Sequence, residues 1–243
     1  ESDKYRTNYK GNVIRTVVFD SGTSKGMIVG QLINNSVLSN IKTDTADYAI
    51  LLKSGQIGLI AGTVDKSRII GCVSKAKYYY GTDYAYNNNT KEISSQSSGV
   101  SNIGGISYEL VNGGKILSCI NNSTIIGSNN LAGISVTMDN SRTTTISKYT
   151  DSDYKLSDDI KKEETTFEFD GSEKKSEKVT ALTTNKASII SQSGTSAGIV
   201  SKAVKSKTYN TNSVLSYCKN EGVISAISGS SLGGIIAYAN WFS

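Results

Sequence analysis

The sequence contains no histidine and no proline, and only three of its 243 residues are cysteine. Without histidine, the chain cannot build a Ser-His-Asp or Cys-His catalytic site, nor a zinc site with a histidine ligand. The absence of proline suits β-strands that need every backbone N–H group for pairing. The cysteines are too widely spaced for a metal site, so we predict neither a metal nor another cofactor.

Long apolar runs are missing as well. No segment approaches the roughly 18 apolar residues of a membrane span, and we expect no insertion into a membrane. The first residue is Glu1 and not methionine, so we expect a mature fragment or an excised domain, with any export signal or surface anchor outside it. Apolar residues make up 37% of the chain, a low share that favours a thin, elongated core.

The sequence does contain a repeat that opens with glycine. An apolar element follows eleven residues after the glycine in three segments: Gly26 with 37–40 (VLSN), Gly58 with 69–72 (IIGC) and Gly105 with 116–119 (ILSC). Weaker copies open at Gly133 and Gly198, and the last contains VLSYC at 214–218 and GGIIA at 233–237. Periods of roughly 20 to 50 residues indicate a solenoid, and short β-branched runs between Gly, Asn and Ser indicate short strands. We predict an all-β solenoid that forms one domain over residues 1–243.

The cysteines recur within this repeat. Cys72 and Cys119 occupy the same repeat position, and Cys218 is displaced from it by one residue. We expect inward thiols that stack on successive coils as small buried hydrophobic groups, with a disulfide or a reactive thiol as the alternative.

A first insertion, at about 75–100, is rich in tyrosine. Five of the fourteen tyrosines fall within nine residues. Aromatic rings on a loop can stack on sugars or grip a protein partner, because tyrosine combines a large rigid surface with a polar group. The alternative is that these tyrosines are ordinary strand residues packed on the side of the solenoid. The candidate partner-binding residues are Tyr78, Tyr79, Tyr80, Tyr84 and Tyr86.

A second insertion, at about 148–188, is acidic. Residues 151–178 carry ten acids and six lysines, a net charge of −4, and subtracting them from the chain's 21 acids and 26 bases leaves +9 elsewhere. A basic body could attract a polyanion, but its bases are scattered, as expected where lysines keep strand edges soluble, so we predict no specific nucleic-acid binding. TTFEF at 165–169, the following Asp170-Gly171 and KVTAL at 178–182 predict a β-hairpin, after one or two helical turns in SDDIKKEE.

Two segments, 104–134 and 214–238, carry Gly-Gly-Ile, an apolar pair, Ser-Cys or Tyr-Cys, and Asn-rich turns. They resemble the GLUG repeats of bacterial surface and secreted proteins, which accompany immunoglobulin A metalloproteases and adhesin-like proteins. The resemblance covers about half of the chain and departs from the pattern at both insertions and in the threonine-rich coil after Gly133. It implies a right-handed parallel β-solenoid (β-helix) on an exported or wall-attached protein, and it transfers no catalytic residue. Proteolysis would need a zinc-binding His-Glu-x-x-His, which this sequence lacks.

We therefore expect a noncatalytic module of a larger secreted or cell-surface protein, adhesin-like or a spacer, whose insertions contact a host or cell-surface protein or glycan. One alternative is a polysaccharide-active β-helix enzyme. The other is a structural protein whose coils self-associate end to end into a filament. The enzyme is disfavoured because Asp65, Asp139 and Glu109 follow their opening glycines at uneven offsets of 7, 6 and 4, which predict no common row.

Overall fold

The computed structural model describes residues 4–7, 13–19, 24–44, 48–52, 55–76, 78–80, 84–87, 92–95, 100–139, 142–161, 164–169, 175–205, 213–228 and 230–240. Within these ranges the chain forms 33 short strands and one helix of four residues. Five strands make up each complete turn of the chain, which we call a coil.

The first three coils follow the chain in order. β1 (Lys4–Thr7) and β2 (Val13–Phe19) precede them. Coil 1 contains β3 (Lys25–Gly26), β4 (Val29–Leu32), β5 (Val37–Ser39), β6 (Lys42–Thr43) and β7 (Tyr48–Leu52). Coil 2 contains β8 (Ile57–Gly58), β9 (Ala61–Asp65), β10 (Arg68–Ile70), β11 (Val73–Ser74) and β12 (Tyr78–Tyr80), and the strands β13 (Tyr84–Asn87) and β14 (Glu92–Ser95) follow it. Coil 3 contains β15 (Ile103–Gly104), β16 (Ser107–Val111), β17 (Lys115–Leu117), β18 (Ile120–Asn121) and β19 (Ile125–Gly127).

The later coils include the second insertion. Coil 4 begins with β20 (Leu131–Ala132), β21 (Ser135–Asp139) and β22 (Thr145–Ser147). The insertion then contributes α1 (Asp158–Lys161), β23 (Glu164–Phe169) and β24 (Lys175–Thr180), and β25 (Thr183–Asn185) and β26 (Ile189–Ser191) complete the coil. Coil 5 contains β27 (Gly194–Ala197), β28 (Val200–Val204), β29 (Val214–Leu215), β30 (Cys218–Asn220) and β31 (Ile224–Ala226). β32 (Ser230–Gly233) and β33 (Ile236–Asn240) begin coil 6.

Equivalent strands of successive coils pair with one another in parallel. The first and second strands of the coils form two six-stranded sheets, and the third and fourth strands form two five-stranded sheets. The fifth strands divide between a sheet of β1-β2-β7-β12 and a sheet of β19-β26-β31. Because neighbours in these sheets are one coil apart, the chain is a parallel β-solenoid. The predicted all-β solenoid is confirmed, and its right-handed sense stays a prediction.

A column of isoleucines runs through every coil at the junction of the first and second sheets. The backbone N–H of each one donates to the carbonyl oxygen of the isoleucine in the next coil, at 2.9–3.2 Å. The four interior members are fully buried, whereas the first and last are exposed at the two ends of the stack. Each buried isoleucine contributes about 1.5–3 kcal/mol by leaving water. In chain order the column contains Ile28, Ile60, Ile106, Ile134, Ile199 and Ile235.

The pairing register differs from the one implied by the spacing of eleven residues between each opening glycine and its apolar element. Val37 pairs with Arg68 and not with Ile69, because the turn before β5 is one residue longer than the turn before β10. Gly58 pairs with Gly104, so the glycine equivalent to Gly105 is not Gly58. The three offsets of eleven therefore do not join equivalent positions, since either the glycine or the following element is shifted by one residue. The predicted repeat itself is present.

The two insertions are shorter than their predicted bounds. β12 belongs to the stack, since it pairs in parallel with β7, and the antiparallel hairpin β13-β14 is the part that leaves it. In the second insertion, β23 and β24 form the predicted hairpin, with residues 170–174 between them. The stack resumes at β25, which pairs with β18 in coil 3 and β30 in coil 5.

An asparagine ladder lies inside the stack at the end of the fourth sheet. Asn121 Nδ2 donates to Asn185 Oδ1 at 2.8 Å, and Asn185 Nδ2 donates to Asn220 Oδ1 at 2.7 Å. Each Nδ2 also donates to the carbonyl oxygen two residues further on, at 2.9–3.1 Å. Buried amides are costly unless they are paired, and this arrangement pairs them from coil to coil.

The ladder explains why glycine opens three of the coils. A Cβ atom at Gly133 would lie 2.4 Å from Asn185 Cγ and 2.1 Å from the carbonyl oxygen of Gly198, closer than real Cβ contacts. Gly105 and Gly198 face Asn121 and Asn220 in the same way. Coils 1 and 2 have larger residues at the equivalent position, Met27 and Leu59, and there the ladder position holds the smaller Thr43 and Ser74.

Replacing Asn121 with alanine should lower the free energy of unfolding by about 2–4 kcal/mol, because it removes its own bonds and leaves Asn185 Oδ1 and the Ser123 N–H without partners. The matched control is Asn122→Ala, since Asn122 is the next residue but is exposed. It should change stability by less than about 0.5 kcal/mol. Urea unfolding followed by circular dichroism measures both, and equal losses would contradict the ladder.

Candidate functional site

Tyr78 is part of the core. Its side chain is 7% exposed, and its hydroxyl donates to the carbonyl oxygen of Leu59 at 3.4 Å and lies 3.6 Å from Met27 Sδ. Burial raises the pKa of Tyr78 to about 12. Tyr78 is therefore an ordinary strand residue packed into the solenoid, and the folded chain does not offer this ring to a partner.

The other four candidate tyrosines are placed by their backbones only. Tyr79 and Tyr80 pair with Leu51 and Leu52 in the fifth-strand sheet. Tyr84 and Tyr86 lie two residues apart in β13, within the antiparallel hairpin. Their side chains lie outside the described part of the chain, so their partner-binding role stays a prediction.

The start of the acidic insertion forms a strap, residues 148–161, that runs from coil 4 back across coils 3, 2 and 1. Its Tyr149 N–H donates to Ser118 Oγ in coil 3 at 2.7 Å, and the carbonyl oxygen of Lys155 accepts from Asn40 Nδ2 in coil 1 at 2.8 Å. In coil 2, Arg68 lies 3.8 Å from Asp151 and 3.5 Å from Asp153. The charge of the strap is thus partly matched by a base of the stack.

The strap covers an apolar patch on the outer face of coils 2 and 3. Tyr149 packs on Ile70 and Leu117, and Ile160 packs on Val73 and Ile120. All of these side chains are buried. Tyr149 and Ile160 do not cover the equivalent positions of coils 1 and 5. Those positions hold polar residues instead: Ser39, Lys42, Ser216 and Lys219.

The hydroxyl of Tyr149 fixes the middle of the strap by donating to a carboxylate oxygen of Asp153. This hydrogen bond is the largest cause that lowers the pKa of Asp153, and the charge of Arg68 lowers it further. The guanidinium of Arg68 also lies 5.8 Å from the ring centre of Tyr154. These contacts assign residues 148–161 a structural role.

Three carboxylates share one outer face of the second sheet. Val111 pairs with Asp65 of coil 2 and, by the register, lies opposite Asp139 of coil 4. Glu109 lies two residues before Val111 on the same strand and accepts a hydrogen bond from Thr63 Oγ1 at 3.3 Å. The expectation of no common row is therefore wrong for Asp65 and Asp139. Their offsets differed because Gly58 aligns with Ala132 and not with Gly133.

The environment of Glu109 favours its protonated form. Desolvation raises its pKa most, the charges of Asp139 and Asp65 raise it further, and the bond from Thr63 opposes this shift. Asp65 Oδ1 is buried and has no hydrogen-bond partner among the described residues. Lys202 lies on the same row as Glu109, two coils away. A carboxyl group that has a raised pKa and lies near two other carboxylates suits proton transfer.

The thiols form a column on the inner side of the third and fourth sheets. The register aligns Cys72 with Cys119, Cys119 with Thr183, and Thr183 with Cys218. The expected stacking is confirmed, and the expected displacement of Cys218 is wrong, because Leu215 and not Val214 is equivalent to Ile116. All three cysteines are free, and burial raises the pKa of Cys119 and Cys218.

No family model, no curated protein and no solved structure matches this chain. The likeness to GLUG repeats therefore rests on the residues of 104–134 and 214–238 alone. Among the described residues, no three His, Cys, Asp or Glu side chains are placed to hold a metal ion, and no helix is long and apolar enough to cross a membrane.

Sequence reasoning missed the asparagine ladder and the strap. Asn121 and Asn220 lie next to turn residues, where asparagine usually indicates a turn. The ladder is visible only in the structure, because the asparagines that pair, Asn121 and Asn185, are 64 residues apart in the sequence. One feature of the sequence did indicate the strap. The outward positions of coils 2 and 3 carry the apolar residues Ile70, Leu117 and Ile120, which are unfavourable on a face exposed to water.

Glu109→Gln should raise the melting temperature at pH 7 and change it little near pH 3. A carboxyl whose folded pKa is raised destabilises the fold once pH exceeds its unfolded pKa, and glutamine removes that cost while keeping an oxygen for Thr63. Near pH 3 both states are protonated, so the advantage should vanish. Calorimetry at the two pH values measures this difference, and an equal shift at both would contradict the raised pKa.

Proposed function

We propose that this chain is a noncatalytic module of an exported or cell-surface protein, adhesin-like in its action, that binds a host or cell-surface protein or glycan through its tyrosine-rich insertion. The GLUG-like repeats support an exported location. The parallel stack supplies a rigid scaffold, because each coil is hydrogen-bonded to the coils on both sides.

The observation that carries this proposal is the hairpin β13-β14. It is antiparallel, and it stands outside the parallel sheets that hold the rest of coil 2. Loops and hairpins inserted into a solenoid can change in sequence without disturbing its core, and for this reason they usually carry binding.

The structure of the strap favours the first insertion over the second as the one that binds a partner. Residues 148–161 already use their tyrosines and acids to cover the apolar patch and to bind Arg68. The first insertion contains Tyr84 and Tyr86 in a hairpin, next to Tyr79 and Tyr80 in the preceding strand. Tyrosine clusters of this kind suit stacking on sugar rings or a protein surface.

Changing Tyr84 and Tyr86 together to alanine should reduce adherence at least tenfold and leave the melting temperature nearly unchanged, because both lie in the hairpin and not in a strand of the stack. The measurement is binding of purified protein to a glycan array and to fixed host cells. Tyr238→Ala is the matched control, because Tyr238 is an exposed tyrosine elsewhere on the stack and its loss should leave adherence intact. Tyr78→Ala should instead lower the melting temperature. Unchanged adherence of the double variant would remove the hairpin from the proposal.

A second candidate function is hydrolysis or cleavage of an acidic glycan at the carboxylate face. It is favoured by the placement of Glu109 beside Asp65 and Asp139, with Lys202 on the same face. Glu109 would act as the general acid and an ionised neighbour as the base.

Release of reducing ends from acidic polysaccharides decides between the two candidates. An enzyme should release them, and both Glu109→Gln and Asp139→Asn should lower the rate by at least a hundredfold. Thr137→Ser is the control, since Thr137 lies on the same face in coil 4 without a titrating group. The noncatalytic proposal expects no release from the unmodified protein.

A further inference from the structure

Cys72 and Cys119 are neighbours in one column of the interior. Cys72 and Cys119 come directly before Val73 and Ile120, which pair with each other in adjacent parallel strands. Both side chains are fully buried, and neither is in a disulfide. The Cys119 thiol lies 3.7 Å from the carbonyl oxygen of Ile69, so it points toward the coil that carries Cys72.

The spacing of the strands fits a covalent link. Neighbouring strands lie about 4.8 Å apart, which is inside the range of about 4.4–6.8 Å between the Cα atoms of a disulfide. No backbone movement is therefore needed to bring the two sulfur atoms together.

The third cysteine provides an internal comparison. Thr183 separates Cys218 from Cys119 in the column, so these two cysteines lie two strand spacings apart. That separation is about 9.6 Å, beyond the reach of a disulfide without backbone movement. Geometry thus permits one pair out of the three.

We propose that Cys72 and Cys119 form an intrachain disulfide, joining coils 2 and 3, when the chain folds in the presence of a small-molecule disulfide. One protein thiolate attacks the oxidant and expels the first small-molecule thiolate, which leaves a mixed disulfide. The second protein thiolate attacks the protein sulfur of that mixed disulfide and expels the other small-molecule thiolate, so the protein gains one S–S bond and the oxidant is reduced to two thiols. Both protein thiols lose their protons to solvent. Because the native core buries both sulfurs, the exchange takes place before the coils close over them.

The test is refolding from urea in a buffer of reduced and oxidised glutathione, followed by alkylation and tryptic peptide mapping. The three cysteines fall in separate tryptic peptides, 69–75, 116–142 and 208–219. We expect the first two to be joined, with a loss of two hydrogens, and Cys218 to be alkylated. A link of this loop length should raise the melting temperature by roughly 5–15 °C.

Three variants guard against misfolding and chance pairing. Cys218→Ala should keep the link, and Cys72→Ala should abolish it. In the triple variant Cys72→Ala, Thr183→Cys and Cys218→Ala, the link should move to peptides 116–142 and 179–186, because position 183 is the next in the column and its other neighbour, Cys218, has been removed. The proposal is overturned if all three thiols of the refolded protein are alkylated, if Cys218 is the linked residue, or if the linked protein is less stable than the reduced one.

Discussion

The asparagine ladder is the interaction on which the register of coils 3 to 5 depends. Asn121 and Asn185 have no access to water, so their amides must find partners inside the protein. Each finds them in the same residue one coil away. A slip of one residue would point these amides to the other face and leave donors and acceptors unpaired.

Other features of the molecule follow from this register. Glycine opens coils 3 to 5 because an asparagine side chain occupies the space of its missing Cβ, and the isoleucine column stacks directly beside it. The parallel pairing continues into coil 2, where Ser74 lies opposite Asn121. There it places Asp65 on one face with Glu109 and Asp139 and brings Cys72 next to Cys119. A scaffold held in this way keeps the inserted hairpins in defined places, which is what a binding module requires.

The sequence predicts the solenoid, its strand-rich coils, the stacked thiols and a hairpin at 165–182, which the structure has at 164–180, because glycine spacing and β-branched runs are local signals. It does not predict the register: turns before the third strand differ by one residue, so Val37 seemed equivalent to Ile69 when it pairs with Arg68. The row of Asp65 and Asp139 was missed because Gly58 is equivalent to Ala132 and not to Gly133. The strap was missed because Tyr149 and Ile160 reach coils that are far away in the sequence. Tyr78 resembled its four neighbours, although only tertiary packing decides which tyrosine is buried.

The most direct measurement is a nuclear Overhauser spectrum of the side-chain amides in ¹⁵N-labelled protein. The account predicts cross-peaks that connect the Nδ2 protons of Asn121 with Asn185 and of Asn185 with Asn220, and amide protons that exchange with solvent only when the chain unfolds globally. If these amides exchange as rapidly as that of the exposed Asn122, or show no contact with one another, the in-register ladder does not exist.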